Sequence, residues 1–119
     1  MKLRDVDLDD KYVAEEGRIV LNGTQALGRL PLMQHARDKK SGLNTAGYIS
    51  GYRGSPLGQF DQPLWIAKKH LQSHDIVFQS GVNEDLAATA LWGTQQAGMQ
   101  GATNYEGVFG SWYLCLIHI

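Results

Sequence analysis

Short runs of β-branched and aromatic residues alternate along this chain with longer stretches of helical periodicity. That alternation restricts the fold more than any other feature. Arg18–Leu21, Thr45–Ser50, Ile76–Gln79 and Glu106–Tyr113 read as strands. Between the first two, Asn22-Gly23 marks a turn, and Thr24 can cap a helix whose apolar positions are Ala26, Leu27, Leu30, Met33 and Ala36. Pro31 falls inside that pattern, which predicts a kink or two short helices. Lys39-Lys40-Ser41-Gly42 ends it, with cations at the carboxyl end and Gly42 as the stop. Asp61 is placed to cap a helix with Leu64, Ala67, Lys68 and Leu71 on one face, and Pro63 is tolerated in its first turn. A third helix, from about Asn83 to Gly98, aligns Leu86, Ala90, Gly93 and Ala97 as a small packing face. Strands separated by helices predict an α/β fold with a mainly parallel sheet and right-handed crossovers.

The bulk numbers set limits on function. A chain of 119 residues makes one domain at most, with 43% apolar and 19% charged residues as in soluble globular proteins. A net charge of −1 gives no electrostatic reason to expect nucleic acid or an anionic membrane as partner. Residues 1–16 read as a polar leader without the apolar core of a signal peptide. With only one cysteine, Cys115, there is no internal disulfide, and a reducing cytoplasm is expected. Asn22-Gly23-Thr24 matches a glycosylation sequon, but without a secretory signal it reads as a turn followed by a cap.

Two segments carry candidate chemistry. The first is Gly51-Tyr52-Arg53-Gly54-Ser55-Pro56-Leu57-Gly58, directly after a strand. Its glycines permit positive φ and close approach to a ligand. It lacks the spacing of a dinucleotide fingerprint, the Gly-Lys-Ser/Thr of a P-loop and the Gly-x-Ser-x-Gly of a nucleophile elbow. Arg53 and Ser55 can hold an anion or polar group, and a plain Gly/Pro turn fits equally well on spacing alone. The second is Asn83-Glu84-Asp85-Leu86-Ala87-Ala88-Thr89-Ala90, where Glu84 opens a helix. A carboxylate there is stabilised by the helix dipole whether or not it has a further role. His70 and His74 lie four apart without a matching third ligand, so no metal site is expected. Trp65, Trp92 and Trp112 read as core or interface residues.

Taken in order, four blocks resemble the thiamine-diphosphate-dependent 2-oxoacid:ferredoxin oxidoreductases. They are Leu21–Leu27, Ser50–Gly58, Gly81–Ala90 and Gly107–Tyr113. The likeness is greatest to the N-terminal part of the indolepyruvate ferredoxin oxidoreductase branch and spans about Asp9 to Tyr113. It implies a pyrimidine-binding domain, which grips the aminopyrimidine ring of thiamine diphosphate. Val82-Asn83-Glu84 falls on the acidic position that hydrogen-bonds ring nitrogen N1′, which makes Glu84 the catalytic and cofactor-binding candidate. Such a carboxyl group exchanges a proton while buried, so a raised pKa there would serve the reaction. Gly54-Ser55-Pro56 resembles the family's Gly-Thr-Pro loop beside the reacting carbon, with the hydroxyl kept in Ser55. Arg53 is read as a contact for the substrate's carboxylate.

The implied reaction is oxidative decarboxylation of 2-oxoacids such as indolepyruvate to the acyl-coenzyme A, with ferredoxin as electron acceptor. The whole enzyme would use thiamine diphosphate, magnesium and an iron–sulfur cluster and act as a homo-oligomer. This chain has neither the diphosphate- and magnesium-binding domain nor a cysteine cluster. The expected organisation is therefore a leader at 1–16, a partial pyrimidine-binding domain at 17–113 and a non-matching tail at 114–119. On this reading the fragment is inactive alone. The alternative is a non-catalytic Rossmann-like module whose Gly51–Gly58 loop holds an anion.

Overall fold

A computed structural model describes residues 5–54 and 57–114. Strands β1 (Thr45–Gly51), β2 (Ile76–Phe78) and β3 (Gly107–Tyr113) form a parallel sheet in the order β2-β1-β3. Helices α1 (Asp10–Val13), α2 (Gly23–Lys40), α3 (Asp61–Ile66), α4 (Lys68–Gln72) and α5 (Glu84–Gln95) surround it. This is the expected α/β architecture with a small parallel sheet flanked by helices.

Strand alternation divides β1 between two cores. Ile49 faces the side of α2, α3 and α4, where Leu32, Phe60, Leu64, Ala67, Leu71, Ile76 and Tyr113 form the main apolar cluster. Ala46 and Ser50 face the other side, beneath Ala87 and Leu91 of α5. The β1-to-β2 connection therefore runs over one face and the β2-to-β3 connection over the opposite face. Since the second connection reverses direction across the sheet, right-handed crossovers require this arrangement.

Four expectations change. Arg18–Leu21 is not a strand; Val20 is almost fully exposed and no neighbouring strand offers it a ladder, so β-propensity has nothing to act on. Pro31 does not divide α2, which runs unbroken through 18 residues. Its start is fixed not by Thr24, which lies inside the first turn, but by a reciprocal cap at Asn22: the Asn22 side chain accepts from Gln25 N–H at 2.8 Å and the Gln25 side chain accepts from Asn22 N–H at 3.1 Å. Pro31 itself is buried, so packing offsets its missing hydrogen bond. In α5 the buried residues are Ala87 and Leu91, not the Leu86–Ala90–Gly93–Ala97 face, which points outward. Residues within the stretch read as a leader pack on this core. Tyr12 joins the main core and stacks on His70 at 4.8 Å, and Arg29 donates to the carbonyls of Lys11 (2.7 Å) and Ala14.

Candidate functional site at the carboxyl edge of the sheet

β1 and β2 are neighbours whose outgoing loops diverge to opposite faces. In an open α/β sheet this divergence leaves a crevice at the carboxyl ends of the strands, where such folds bind ligands. The two loops remain in contact at its floor: Gly81 N–H donates to Gly51 C=O at 2.8 Å, and Gly81 bridges Tyr52. Arg53 and Gly54 follow on one side, and Ser80 and Glu84 stand on the other.

Glu84 is the first residue of α5 and is partly buried. The Asn83 side chain accepts from Leu86 N–H at 2.8 Å and so fixes the helix start and the position of Glu84. Among the described residues the Glu84 carboxylate has no hydrogen-bond partner. As the first residue of α5 it sits at the positive end of that helix, which stabilises a carboxylate.

The loop after β1 is built for closeness. A Cβ on Gly51 would lie 2.4 Å from the Tyr113 carbonyl oxygen and 2.5 Å from its ring, so only glycine lets β1 and β3 end side by side here. Gly54 lies under the Tyr52 ring in the same way, with 2.4 Å to the nearest ring carbon. Its backbone is therefore shielded on that side by Tyr52. Ser55 and Pro56 lie outside the described residues.

A polar network links the three strands beneath this loop. Asp61 is 1% exposed, yet its carboxylate accepts from the Tyr113 hydroxyl, the Ser80 hydroxyl at 3.1 Å and Arg53 Nε at 3.3 Å. The sequence places Asp61 as a helix cap. In the structure Phe60 holds the cap position, and Asp61 turns its carboxylate inward as the first helical residue. Burial of an ionised carboxylate is tolerated because three donors satisfy it. The same burial, and the bond to Asp61, push the Tyr113 hydroxyl well above the ordinary tyrosine pKa. Arg53 spends its Nε on Asp61 while its side chain stays 74% exposed, so the guanidinium is tethered at one nitrogen and open at its end.

Asp61, Ser80 and Tyr113 were not expected at this edge. No local pattern distinguishes them: a buried first-turn aspartate and a capping one look alike in sequence. Arg53 and Ser80 each fall two residues past a strand end, but Asp61 lies at the start of α3 and only the tertiary fold brings it to them.

The histidines serve elsewhere. His74 Nδ1 lies 2.8 Å from the His70 carbonyl oxygen, and His35 meets His74 edge-on at 5.3 Å. Among the described residues no three His, Cys, Asp or Glu side chains gather as metal ligands would. Nor is any helix among them long and apolar enough to cross a membrane.

Comparison of the chain with protein-family models, curated proteins and solved structures gave no match.

Proposed function

We propose that this chain is the aminopyrimidine-gripping part of a thiamine-diphosphate-dependent 2-oxoacid:ferredoxin oxidoreductase, most like the indolepyruvate enzyme. The observation that carries this reading is the placement of Glu84. It opens α5 three residues past Gly81, whose bridge to Tyr52 joins its loop to the one that leads to Arg53 and Gly54. The residues present fit the group: a half-buried carboxylate with no other partner among the described residues suits a ring nitrogen that needs one strong hydrogen bond. Thiamine diphosphate, when bound, supplies the electron sink for decarboxylation of a 2-oxoacid.

The chain's own residues supply the rest of the argument. Glu84 holds or accepts a proton at the ring nitrogen. The open end of the Arg53 guanidinium offers paired N–H groups to the substrate's carboxylate, the geometry in which arginine binds such anions. Ser55 provides the hydroxyl beside the reacting carbon. Magnesium, the diphosphate, coenzyme A, ferredoxin and the iron–sulfur cluster are handled by other domains of the whole enzyme, so this chain alone does not turn over.

Titration of the 119-residue chain with thiamine, which carries the aminopyrimidine ring, tests the reading. We expect saturable, weak binding, with dissociation constants on the order of 1 mM, reported by amide shifts at Gly81–Ala87. Glu84→Gln should weaken it at least tenfold while leaving the circular dichroism unchanged. Equal binding by a folded Glu84→Gln chain would remove the proposed role of Glu84. Shifts confined to Tyr52–Gly54 on titration with simple carboxylates, and absent with thiamine, would favour the anion-binding module instead.

A further inference from the structure

We propose that Asp61 is a positioning residue: it holds the Arg53 guanidinium by Nε so that the two Nη groups stay set for a carboxylate-bearing ligand at the carboxyl edge of the sheet. This role rests on the reading of Arg53 as a carboxylate contact, which the thiamine-dependent enzyme and the anion-binding module share. Arg53 has no competitor along this part of the chain. It is the only Lys or Arg between Lys40 and Lys68, and none follows Lys69.

Asp61 is a costly residue to bury. Its side chain is 1% exposed, and removing an ionised carboxylate from water is unfavourable even when its hydrogen bonds are made. Apolar residues of similar volume often serve a core as well as a buried ion pair does. The main apolar cluster brackets it with such residues, Phe60 before it and Leu64 one turn on. Stability alone therefore gives no reason for a carboxylate at this point, whereas direction does. Oδ1 accepts from the Tyr113 hydroxyl, and Oδ2 accepts from the Ser80 hydroxyl at 3.1 Å. With a bond on each oxygen, one from β3 and one from the loop after β2, the carboxylate plane is held against rotation about Cβ–Cγ. The remaining acceptor site of Oδ2 is thereby fixed, and Arg53 Nε fills it at 3.3 Å.

The rest of the guanidinium has the shape of a carboxylate receptor. Nε is used, and among the described residues neither Nη group has a partner. The side chain is 74% exposed, so that pair of nitrogens is open to a small molecule. Two parallel N–H···O bonds need the guanidinium plane set toward the ligand. An untethered arginine loses its rotamer freedom on binding, which lowers affinity by a factor of roughly 2 to 12. In the free chain Asp61 already restricts that freedom.

A pure charge effect has the opposite sign. Asp61 is an anion 3.3 Å from Arg53, so it opposes the approach of a second anion. Asp61→Asn removes the charge and keeps the shape. If Asp61 were only a neighbouring charge, the substitution would tighten carboxylate binding. If it were only a structural strap, the substitution would lower stability and leave the affinity of the folded chain alone. Positioning predicts weaker binding.

Titration of the isotope-labelled 119-residue chain with pyruvate, at ionic strength held constant with chloride, separates the three. The Arg53 side chain and the Tyr52–Gly54 amides should shift with a dissociation constant on the order of 50 mM. Folded Asp61→Asn should raise that constant about threefold or more. Ile76→Val, a core change at the amino end of β2, should leave it unchanged. Two further measurements decide the question if Asp61→Asn does not fold. In the free chain, nitrogen relaxation should show Arg53 Nε–H more restrained than that of the exposed Arg37. Arg53→Lys, which keeps the charge but has no planar fork, should weaken pyruvate binding about threefold or more. No shift at Arg53 up to roughly 200 mM pyruvate, equal or tighter binding by folded Asp61→Asn, or equal weakening by Ile76→Val would overturn the proposal. So would an Arg53 Nε–H as mobile as that of Arg37, or undiminished binding by Arg53→Lys. The thiamine titration reads the enzyme assignment separately. Pyruvate binding that needs Asp61, in a chain indifferent to thiamine, keeps the role of Asp61 and removes the enzyme reading. Thiamine binding with pyruvate affinity indifferent to Asp61 does the reverse.

Discussion

Replacing Tyr113 with phenylalanine removes one oxygen and leaves the packing of a 4%-exposed ring in place. The lost group is the hydroxyl that donates to Asp61, and a hydrogen bond to a buried carboxylate contributes about 1.5–3 kcal/mol. Asp61 retains Ser80 and Arg53, so the carboxylate is weakened in its shell rather than stripped. A loss of about 2 kcal/mol is expected near pH 7, equivalent to roughly 8 °C in Tm for a domain of this size. The pH dependence separates this account from simple loss of packing. The Tyr113 pKa is raised in the folded chain, first by burial and then by Asp61. Above about pH 10 the unfolded chain loses the phenolic proton while the folded chain keeps it. The unfolded state then binds fewer protons, so stability falls as pH rises, by about 1.4 kcal/mol in all by pH 11, of which about 1.0 kcal/mol is lost between pH 10 and 11. Tyr113→Phe lacks that loss. The stability gap between the two proteins should therefore shrink from about 2 kcal/mol at neutral pH to under about 1 kcal/mol at pH 11. Urea unfolding followed by circular dichroism at a series of pH values measures it directly. A gap that stays constant through pH 11, or is below about 0.5 kcal/mol at pH 7, would refute the assignment of Tyr113 as a working donor to Asp61.

Two further perturbations test other parts of the structure. His35 is buried, its Nδ1 has no hydrogen-bond partner among the described residues, and burial followed by the neighbouring His74 lowers its pKa. Acidification below about pH 6.5 protonates this histidine in the unfolded chain before the folded one, so stability is lost as pH falls toward 5. His35→Leu should flatten that acid limb in the same urea series; an unchanged limb would show that His35 is not its source. Gly51→Ala forces a methyl group onto the Tyr113 carbonyl and ring, and overpacking of this kind costs about 1–3 kcal/mol. The loss should appear in the urea midpoint together with altered Tyr113 resonances, and a neutral effect would mean that β1 and β3 can separate at their carboxyl ends at little cost.

What the sequence made legible was set by local chemistry. Strands β1, β2 and β3 were readable because β-branched and aromatic runs lie between strong turn and cap signals, whereas the start of α2 was read two residues late, with Thr24 as the cap, because Asn22-Gly23 also reads as a turn. Leu64, Ala67 and Leu71 were placed in the core by helical spacing and are buried. The misreadings arose where two signals of equal local strength had to be decided by tertiary packing. Arg18–Leu21 has strand composition but no neighbour. Pro31 breaks helices in isolation, yet here it is buried in a helix capped firmly at its start. On α5 both Leu86–Ala90–Gly93–Ala97 and Ala87–Leu91 make apolar rows, and only contact with β1 and β3 selects the second. At the candidate site, Glu84 and the Arg53–Gly54 loop were visible as residues adjoining strand ends. Asp61 was seen but assigned to the wrong task, since its inward turn depends on Tyr113, some fifty residues away.

These observations connect the site to the sheet. Asp61 takes hydrogen bonds from residues following β1 and β2 and from β3 itself, so the position of Arg53 depends on all three strands ending together. Gly51 and Gly81 allow that alignment, and the hydrogen bond from Gly81 N–H to Gly51 C=O ties together the loops that lead to Arg53 and Glu84. A change that slides β3 relative to β1 would thus disturb Tyr113, then Asp61, then Arg53.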